Sequence, residues 1–557
     1  MKKTIITTIL TQAIVFAAAP TSSDILNTLP AQESLPKQTK SAVEIKGIQE
    51  YKPALTEEQY TKKILVKSFK ITNAKHIDTK HLVSLLDEYK NKELSFNDLQ
   101  KAAYVITQEY KKKGYFISRA YIPAQTMKDD QIEISVIEGN YDKFVINNNS
   151  RVNDALLHNI LNKAKTKDIA HLKPLESSLL NTNELPGVQI TSVELKPGKT
   201  IGTSDLVINA DKDNLYNGYV VADNHGSRYT GYNRLIAGAN FNSLANVADK
   251  LSLSGLITNG SDLKTGRVAY GVPLFYTGAY AELGYSTVKY ELAKEYENLK
   301  AYGKSSAIDL TINYPLINTK QEKLDIDFIY ANKDLKDYQD SANTMDKTID
   351  SFALSLGHTK DWSVKDIFVK TNSNIKFTTG KLTFNDETFK SADSAGVDTQ
   401  GRYNKIDVSL NALTTFNDTY SLDTKLKFQK SLNNKNLDGS EDFSLGGTDG
   451  VRFFPSGELS AENGLVLQTE LIVSLPTYKN IKHSASIFYD IGSVSMADSS
   501  KDTTFKSRTL QDVGVGYQAY YDKFFAKTYL AKSVGSQKVE SEPEYSTKFL
   551  VQVGYVF

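Results

Sequence analysis

A chain of 557 residues is too long for one ordinary core and divides into several units. It has no cysteine, which excludes disulfides, thiolate zinc sites and cysteine nucleophiles, and its formal net charge of +1 gives no global field aimed at nucleic acid. Its 32 tyrosines and 24 phenylalanines, against one tryptophan, suit the aromatic girdles of a membrane barrel.

Met1-Lys2-Lys3 is a basic start, Ile5 to Ala19 is apolar, and Ala17-Ala18-Ala19 offers small residues for cleavage. Residues 1–19 therefore read as a secretory signal peptide. No later run of about 18 apolar residues exists, so the rest of the chain can cross a membrane only as a closed barrel. Residues 20–62 are rich in Pro, Gln, Lys and Thr and read as a linker, with one or two helical turns available from Ser23 to Leu29.

From Ile64 the pattern becomes strand, helix, helix, strand, strand. Leu82, Leu85, Leu86 and Tyr89 recur on one helix face. Ser95 and Asp98 form a capping-box-like start, followed by a stripe of Leu99, Ala102, Ala103, Ile106 and Tyr110. Gly114 stands where a helix ends. Strands are predicted over Tyr115 to Pro123 and through Ile132, Ile134 and Val136. A weaker copy follows. Leu157, Ile160, Leu161 and Ala164 mark its first helix, and Ile190, Val193, Leu195 and Asp205 to Ile208 mark its strands. The expected units are residues 63–141 and 142–212. An open sheet edge in either offers backbone groups to an extended peptide.

Residues 213–557 carry alternating runs. Ile308, Leu310, Ile312 and Tyr314 alternate with Asp309, Thr311 and Asn313; Leu324, Ile326, Phe328 and Tyr330 alternate with Asp325 and Asp327. Apolar-out and polar-in is the barrel dyad, and roughly 20 residues per strand and connection gives about 16 antiparallel strands. Short connections are predicted near Pro315–Lys323 and Pro476–Ile481. Long ones are predicted near Lys333–Lys347, Lys381–Arg402, Ser431–Gly464 and Ser493–Arg508. The chain closes on Phe549, Val551, Val553, Tyr555 and Phe557 along one face.

The long segment 431–464 contains Gly446-Gly447-Thr448-Asp449-Gly450-Val451-Arg452-Phe453-Phe454-Pro455-Ser456-Gly457-Glu458. Its glycines and proline fold the chain back on itself. Tucked into a lumen, Arg452 needs a carboxylate, and Phe488-Tyr489-Asp490-Ile491-Gly492 supplies one downstream. Val451, Arg452, Phe453 and Phe454, with the F-x-D-x-G pattern of Phe488, Asp490 and Gly492, resemble the sixth-loop tip and thirteenth strand of two-partner secretion transporters. Phe453 departs from the small residue usual there in the wider superfamily. The two units before the barrel resemble POTRA domains, through Gly114-Tyr115-Phe116 and Ile137-Glu138-Gly139.

This resemblance implies an all-β outer-membrane barrel behind two α+β POTRA domains in the periplasm. It implies an N-terminal plug helix within 20–62, an Arg452–Asp490 pair inside the barrel, and loop 6 (431–464) folded inward. It implies porin-like conductance and secretion of one unfolded exoprotein: an adhesin, haemolysin or contact-dependent toxin. Tyr555 and Phe557 resemble the insertion signal read by the barrel-assembly machinery. The further partners implied are outer-membrane lipid and no nucleic acid, with a monomeric barrel. An assembly or insertion factor of the same superfamily is the alternative. The seven histidines are scattered, and no nucleophile elbow, Walker loop or dinucleotide fingerprint is present. Neither an enzyme, a metal nor a cofactor is expected.

Overall fold

Two small sheets with helices lead into a closed barrel, in a computed structural model that describes residues 20–27, 29, 40, 45–46, 63–165, 168–274, 278–339, 345–505 and 507–557. The signal peptide expected over 1–19, and most of the linker, lie outside these residues. Within the linker, α1 (Ser22–Asn27) and β1 (Ile45–Lys46) are described.

In the first unit β2 (Lys63–Val66) pairs with β4 (Lys92–Ser95), while β3 (Ser68–Thr72) and β5 (Arg119–Tyr121) flank β6 (Gln131–Ile137). Helices α2 (Thr79–Ser84) and α3 (Phe96–Lys112) cover the sheet. The Ser95–Asp98 capping box forms in both directions, and Leu99, Ala102, Ala103, Ile106 and Tyr110 face the core. Leu85 caps α2, and Asp87–Tyr89 is a separate 3-10 turn, so the first helix is shorter than its apolar spacing predicts. The strand predicted over Tyr115 to Pro123 shrinks to Arg119–Tyr121. Its first half is turn, because Tyr115 N–H returns to the Tyr110 carbonyl and Ser118 N–H to the Tyr115 carbonyl.

The second unit orders its sheet as β1, β8 (Val188–Pro197), β9 (Thr203–Lys212) and β7 (Asn140–Asn148), under α4 (Asp154–Leu161) and α5 (Leu172–Glu184). Gly114 joins the two units. Its φ is +89°, and a Cβ there would lie 2.8 Å from the His171 ring, whose Nδ1 accepts the Lys173 N–H at the start of α5. Burial lowers the His171 pKa, so the ring stays neutral and keeps that acceptor.

Sixteen antiparallel strands among the described residues close into the barrel. They begin with β10 (Tyr216–Asp223), β11 (Arg234–Asn242), β12 (Lys250–Thr258), β13 (Leu263–Leu274), β14 (Ala279–Glu291) and β15 (Tyr302–Asn318). Next come β16 (Glu322–Tyr338), β17 (Met345–Val364), β18 (Ile367–Phe384), β19 (Gly401–Thr415) and β20 (Tyr420–Ser431). The loop pair β21 (Phe443–Ser444) and β22 (Ser460–Ala461) precedes β23 (Asn463–Tyr478), β24 (Ile481–Ser495), β25 (Arg508–Tyr521), β26 (Phe524–Ser533) and β27 (Lys548–Val556). The stretch Lys333–Lys347, predicted as a long loop, is mostly strand: β16 runs to Tyr338 and β17 starts at Met345. Its charges mislead because Lys333, Asp337 and Lys347 face the lumen and find partners there, while Asp334, Lys336 and Asp346 pair with one another on the outer face.

The second unit is fastened to the barrel. The turn between β11 and β12 buries Ala248 among Leu156, Leu157 and Ile160, and Asn153 N–H reaches the Asn246 carbonyl at 3.0 Å. On α5, Asn181 accepts from Asn318 at 2.7 Å and Glu184 pairs with Lys323 at 2.8 Å.

Candidate functional site in the barrel lumen

The segment between β20 and β23 turns back into the barrel, because β21 pairs with β22 and brings its two stems together. Gly446 lies so close to the far arm that a Cβ would meet the Pro455 carbonyl oxygen at 2.0 Å, and Gly447 has φ +86°. Val451 N–H bonds the Leu445 carbonyl at 2.9 Å, Phe454 N–H the Val451 carbonyl at 3.1 Å, and Gly447 N–H the Phe454 carbonyl at 2.9 Å. The tip is thus a tight knot that aims Arg452 at the wall.

Arg452 meets Asp490 in two-pronged fashion, Nε to Oδ2 at 2.7 Å and Nη2 to Oδ1 at 2.9 Å. Its remaining prong, Nη1, bonds Glu470 at 2.7 Å. The guanidinium carbon lies 3.7 Å from the Phe488 ring centre and 4.9 Å from that of Tyr529. Arg452 is 5% exposed and Asp490 0%, so the pair belongs to the buried regime and not to the surface one. Gly492 sits in a crowded place: a Cβ there would lie 2.5 Å from the Leu445 side chain of the loop stem and 2.9 Å from the Leu465 carbonyl oxygen.

Phe453, the departure from a small residue, is accommodated by the wall. Its N–H donates to Asp512, its carbonyl accepts from Tyr545 Oη at 3.0 Å, and its ring packs on Phe454 and Tyr545. Val451, Phe453 and Phe454 are buried with Leu445, Val466, Phe488 and Leu510 in one cluster.

Glu470, Asp512 and Gln468 escape a reading by motif. Gln468, Asp490 and Asp512 are register partners across β23, β24 and β25, forming one row on the lumen side. Gln468 Nε2 donates to the Gly450 carbonyl at 2.8 Å. An available signal is strand alternation: Asp512 is an inward charge two residues from Leu510 and Gly514, on the same face.

Two further carboxylates hold the stems of the loop. Glu458 pairs with Arg508 at 3.0 Å and accepts from Ser541 Oγ at 2.6 Å. Asp438, buried, pairs with Lys347 and accepts from Ser23 Oγ at 2.7 Å. Through Ser23 the loop touches α1, which lies inside the barrel mouth farthest from the two small units. Ser22 N–H bonds Asp337 at 2.7 Å, and Ile25 is buried against Val221, Ile236 and Tyr290. The stretch that reads as linker is helical here because the lumen wall supplies both its cap partners and its apolar contacts.

Tyr555 and Phe557 lie at the barrel seam. Tyr555 is opposite Val220, with its ring 4.7 Å from that of Phe524, and Phe557 exchanges both backbone hydrogen bonds with Gly218 at 2.9 Å.

The family model described as haemolysin secretion/activation protein ShlB/FhaC/HecB matches residues 202–518, and a POTRA domain of ShlB type matches residues 64–139. The heme/hemopexin transporter protein HuxB of Haemophilus influenzae (strain 86-028NP) is 26% identical over 454 residues, covering 80% of this chain and 78% of that protein. The outer membrane transporter CdiB of Dickeya dadantii is 22% identical, covering 72% of this chain and 71% of that protein. Among solved structures, CdiB from Escherichia coli matches with a TM-score of 0.68 at 19% identity, covering 92% of this chain and 94% of that one.

Proposed function

This chain belongs to the haemolysin secretion/activation protein family, and from that premise we propose how its lumen works. It is an outer-membrane transporter that secretes a partner exoprotein. In our reading, residues 63–141 and 142–212 are two periplasmic POTRA units that take up the unfolded partner, and residues 213–557 are the conduit. The partner is a large exoprotein of the adhesin, haemolysin or contact-dependent toxin kind. The barrel is inserted as a monomer by the assembly machinery, through the C-terminal signal at Tyr555 and Phe557. The chain performs no covalent chemistry, and folding of the partner outside makes passage one-way.

One observation carries the reading: loop 6 and α1 both occupy the lumen and are tied to its wall and to each other through Arg452, Asp438 and Ser23. A resting pore built this way is closed, and passage requires α1 to leave. Loop 6 stays anchored by Arg452 and Asp490 as the wall along which the partner slides. The assembly-factor alternative finds less support, since the BamA structure of Haemophilus ducreyi matches at a TM-score of only 0.53. The test is secretion: a strain deleted for this gene should retain its exoprotein in the periplasm, and the intact gene should restore release. Release without the gene would overturn the reading.

A further inference from the structure

A cleft of about 730 Å³ opens where the second unit meets the rim of the barrel. Helix α5 supplies Lys173 and Pro174 to it, the end of β15 supplies Leu316 and Ile317, and the end of β17 supplies Lys360 and Trp362. Further along α5, Asn181 and Glu184 hold the two walls together through Asn318 and Lys323. One face of β17 sets the level of the cleft in the membrane. Its side chains run Phe352, Leu354, Leu356, His358, Lys360 and Trp362. The first three are exposed apolar groups of the lipid-facing band, and Trp362 is the only tryptophan in the chain. An apolar band, then polar groups, then an interfacial tryptophan is the order met on leaving a bilayer leaflet. The cleft thus continues the lipid-facing surface into the headgroup layer on the side of the two small units, with Leu316 50% exposed at its edge. Its cations outnumber the carboxylates left to meet them. Glu322 is shared by His358 at 2.9 Å and Lys360 at 3.6 Å, and Asp361 is met by Lys370 at 3.8 Å. Lys173 is exposed and pairs with no carboxylate among the described residues. Apolar side chains between a lysine on each wall fit a phosphate that carries a hydrocarbon chain.

We propose that this cleft binds one phospholipid of the periplasmic leaflet. Lys173 and Lys360 hold its phosphate, and its chain lies against Leu316, Ile317 and Trp362. The lipid is then a third tie between α5 and the rim, beside Asn181 with Asn318 and Glu184 with Lys323. The seating of the second unit on the barrel depends in this way on the membrane around it.

The single tryptophan reports on the site without a label. Full-length protein in detergent is titrated with phosphatidylglycerol whose chains carry bromine, which quenches tryptophan on contact. Fluorescence should fall to a plateau at one lipid per protein, and unbrominated phosphatidylglycerol should reverse the fall. Brominated diacylglycerol, which has the chains and no phosphate, should bind at least tenfold more weakly. Lys173→Gln with Lys360→Gln should weaken lipid binding at least tenfold, whereas Lys173→Arg with Lys360→Arg should keep it. Each variant is first shown to be folded by its heat-modifiable migration. Quenching that rises with the lipid-to-detergent ratio and reaches no plateau would overturn the proposal. So would equal quenching by brominated diacylglycerol, or an unchanged plateau in the double Gln variant. The titration needs no transport, so its failure leaves the secretion reading standing, and a failure to secrete leaves the lipid site standing.

Discussion

Arg452 is one cation among Asp490, Glu470 and Asp512, stacked over Phe488, with almost no access to water. An exposed pair contributes about 0 to 1 kcal/mol, whereas removing one member of a buried pair costs about 3 to 5 kcal/mol because the survivor stays uncompensated. The barrel's stability is spread over all its strands, so that loss falls on the loop. Arg452→Ala and Asp490→Ala should insert normally, shown by heat-modifiable migration, yet secrete poorly. The double substitution should secrete no worse than either one. Arg452→Lys should rescue only in part, since lysine cannot hold Asp490 by two prongs and Glu470 by a third. Full secretion by Arg452→Ala, or losses that add in the double variant, would remove the latch.

At the scale of elements, α1 and the first POTRA unit make separate predictions. The six residues of α1 are too short to be helical alone, and their order comes from Asp337, Asp438 and the wall. Deleting residues 20–27 should raise the steady conductance of the barrel in planar bilayers. Asp337→Ala, which removes the N-terminal hold, should give a smaller rise with more frequent openings. Unchanged conductance in both would leave loop 6 as the plug. In the first unit, Glu138 accepts from the Lys75 and His76 N–H groups, His76 Nδ1 and Tyr110 Oη, all within 2.7 to 2.8 Å. Burial raises its pKa, but these hydrogen bonds outweigh burial and hold the carboxyl below its usual range. A depressed carboxyl stabilises the fold fully above the unfolded value of about 4.3, and that contribution is lost as pH falls through the folded value. Hydrogen exchange at Lys75 and His76 should therefore be faster in Glu138→Gln than in the unmodified protein at pH 7. The difference should shrink as pH falls through the lowered folded value, below which both carry a neutral side chain.

The whole molecule depends on one seam. Between β10 and β27 the ladder runs from Tyr219–Val556 to Asp223–Gln552, with the Gly218–Phe557 pair added at one end. At the other end Asn224 N–H bonds the Val551 carbonyl at 3.2 Å, and its side chain continues the pairing, accepting the Val551 N–H at 2.9 Å and donating to the Phe549 carbonyl at 2.9 Å. A hydrogen bond contributes about 0.5 to 1.5 kcal/mol net. Asn224→Ala should therefore leave a closed barrel whose folded band on gels is lost at a temperature several degrees lower. Asn224→Asp keeps the acceptor alone and should fall between. No shift in either variant would mean that the backbone ladder suffices to close the seam.

Much of the molecule is decided by spacing within the chain. Alternation over ten residues makes a barrel strand whatever its neighbours, because side chains on a pleat point to opposite faces. The Ser95–Asp98 box and the positive φ of Gly114 are local in the same way, needing only residues three apart or one flexible backbone. Arg452 and Asp490 are visible as motifs, since one lies in a glycine-rich turn and the other in the F-x-D-x-G pattern of a strand. What surrounds them is not local. Asp512 and Gln468 join Asp490 only because strand register sets them in one row, and register is a property of pairs of strands. The same holds for Lys333, Asp337 and Lys347, which read as part of a solvated loop until loop 6 and α1 supply Glu441, Ser22 and Asp438 as partners. The linker strand is the extreme case. Ile45–Lys46 has no periodicity of its own and becomes a strand only because β8 presents an unpaired edge, which exists once the second unit has folded.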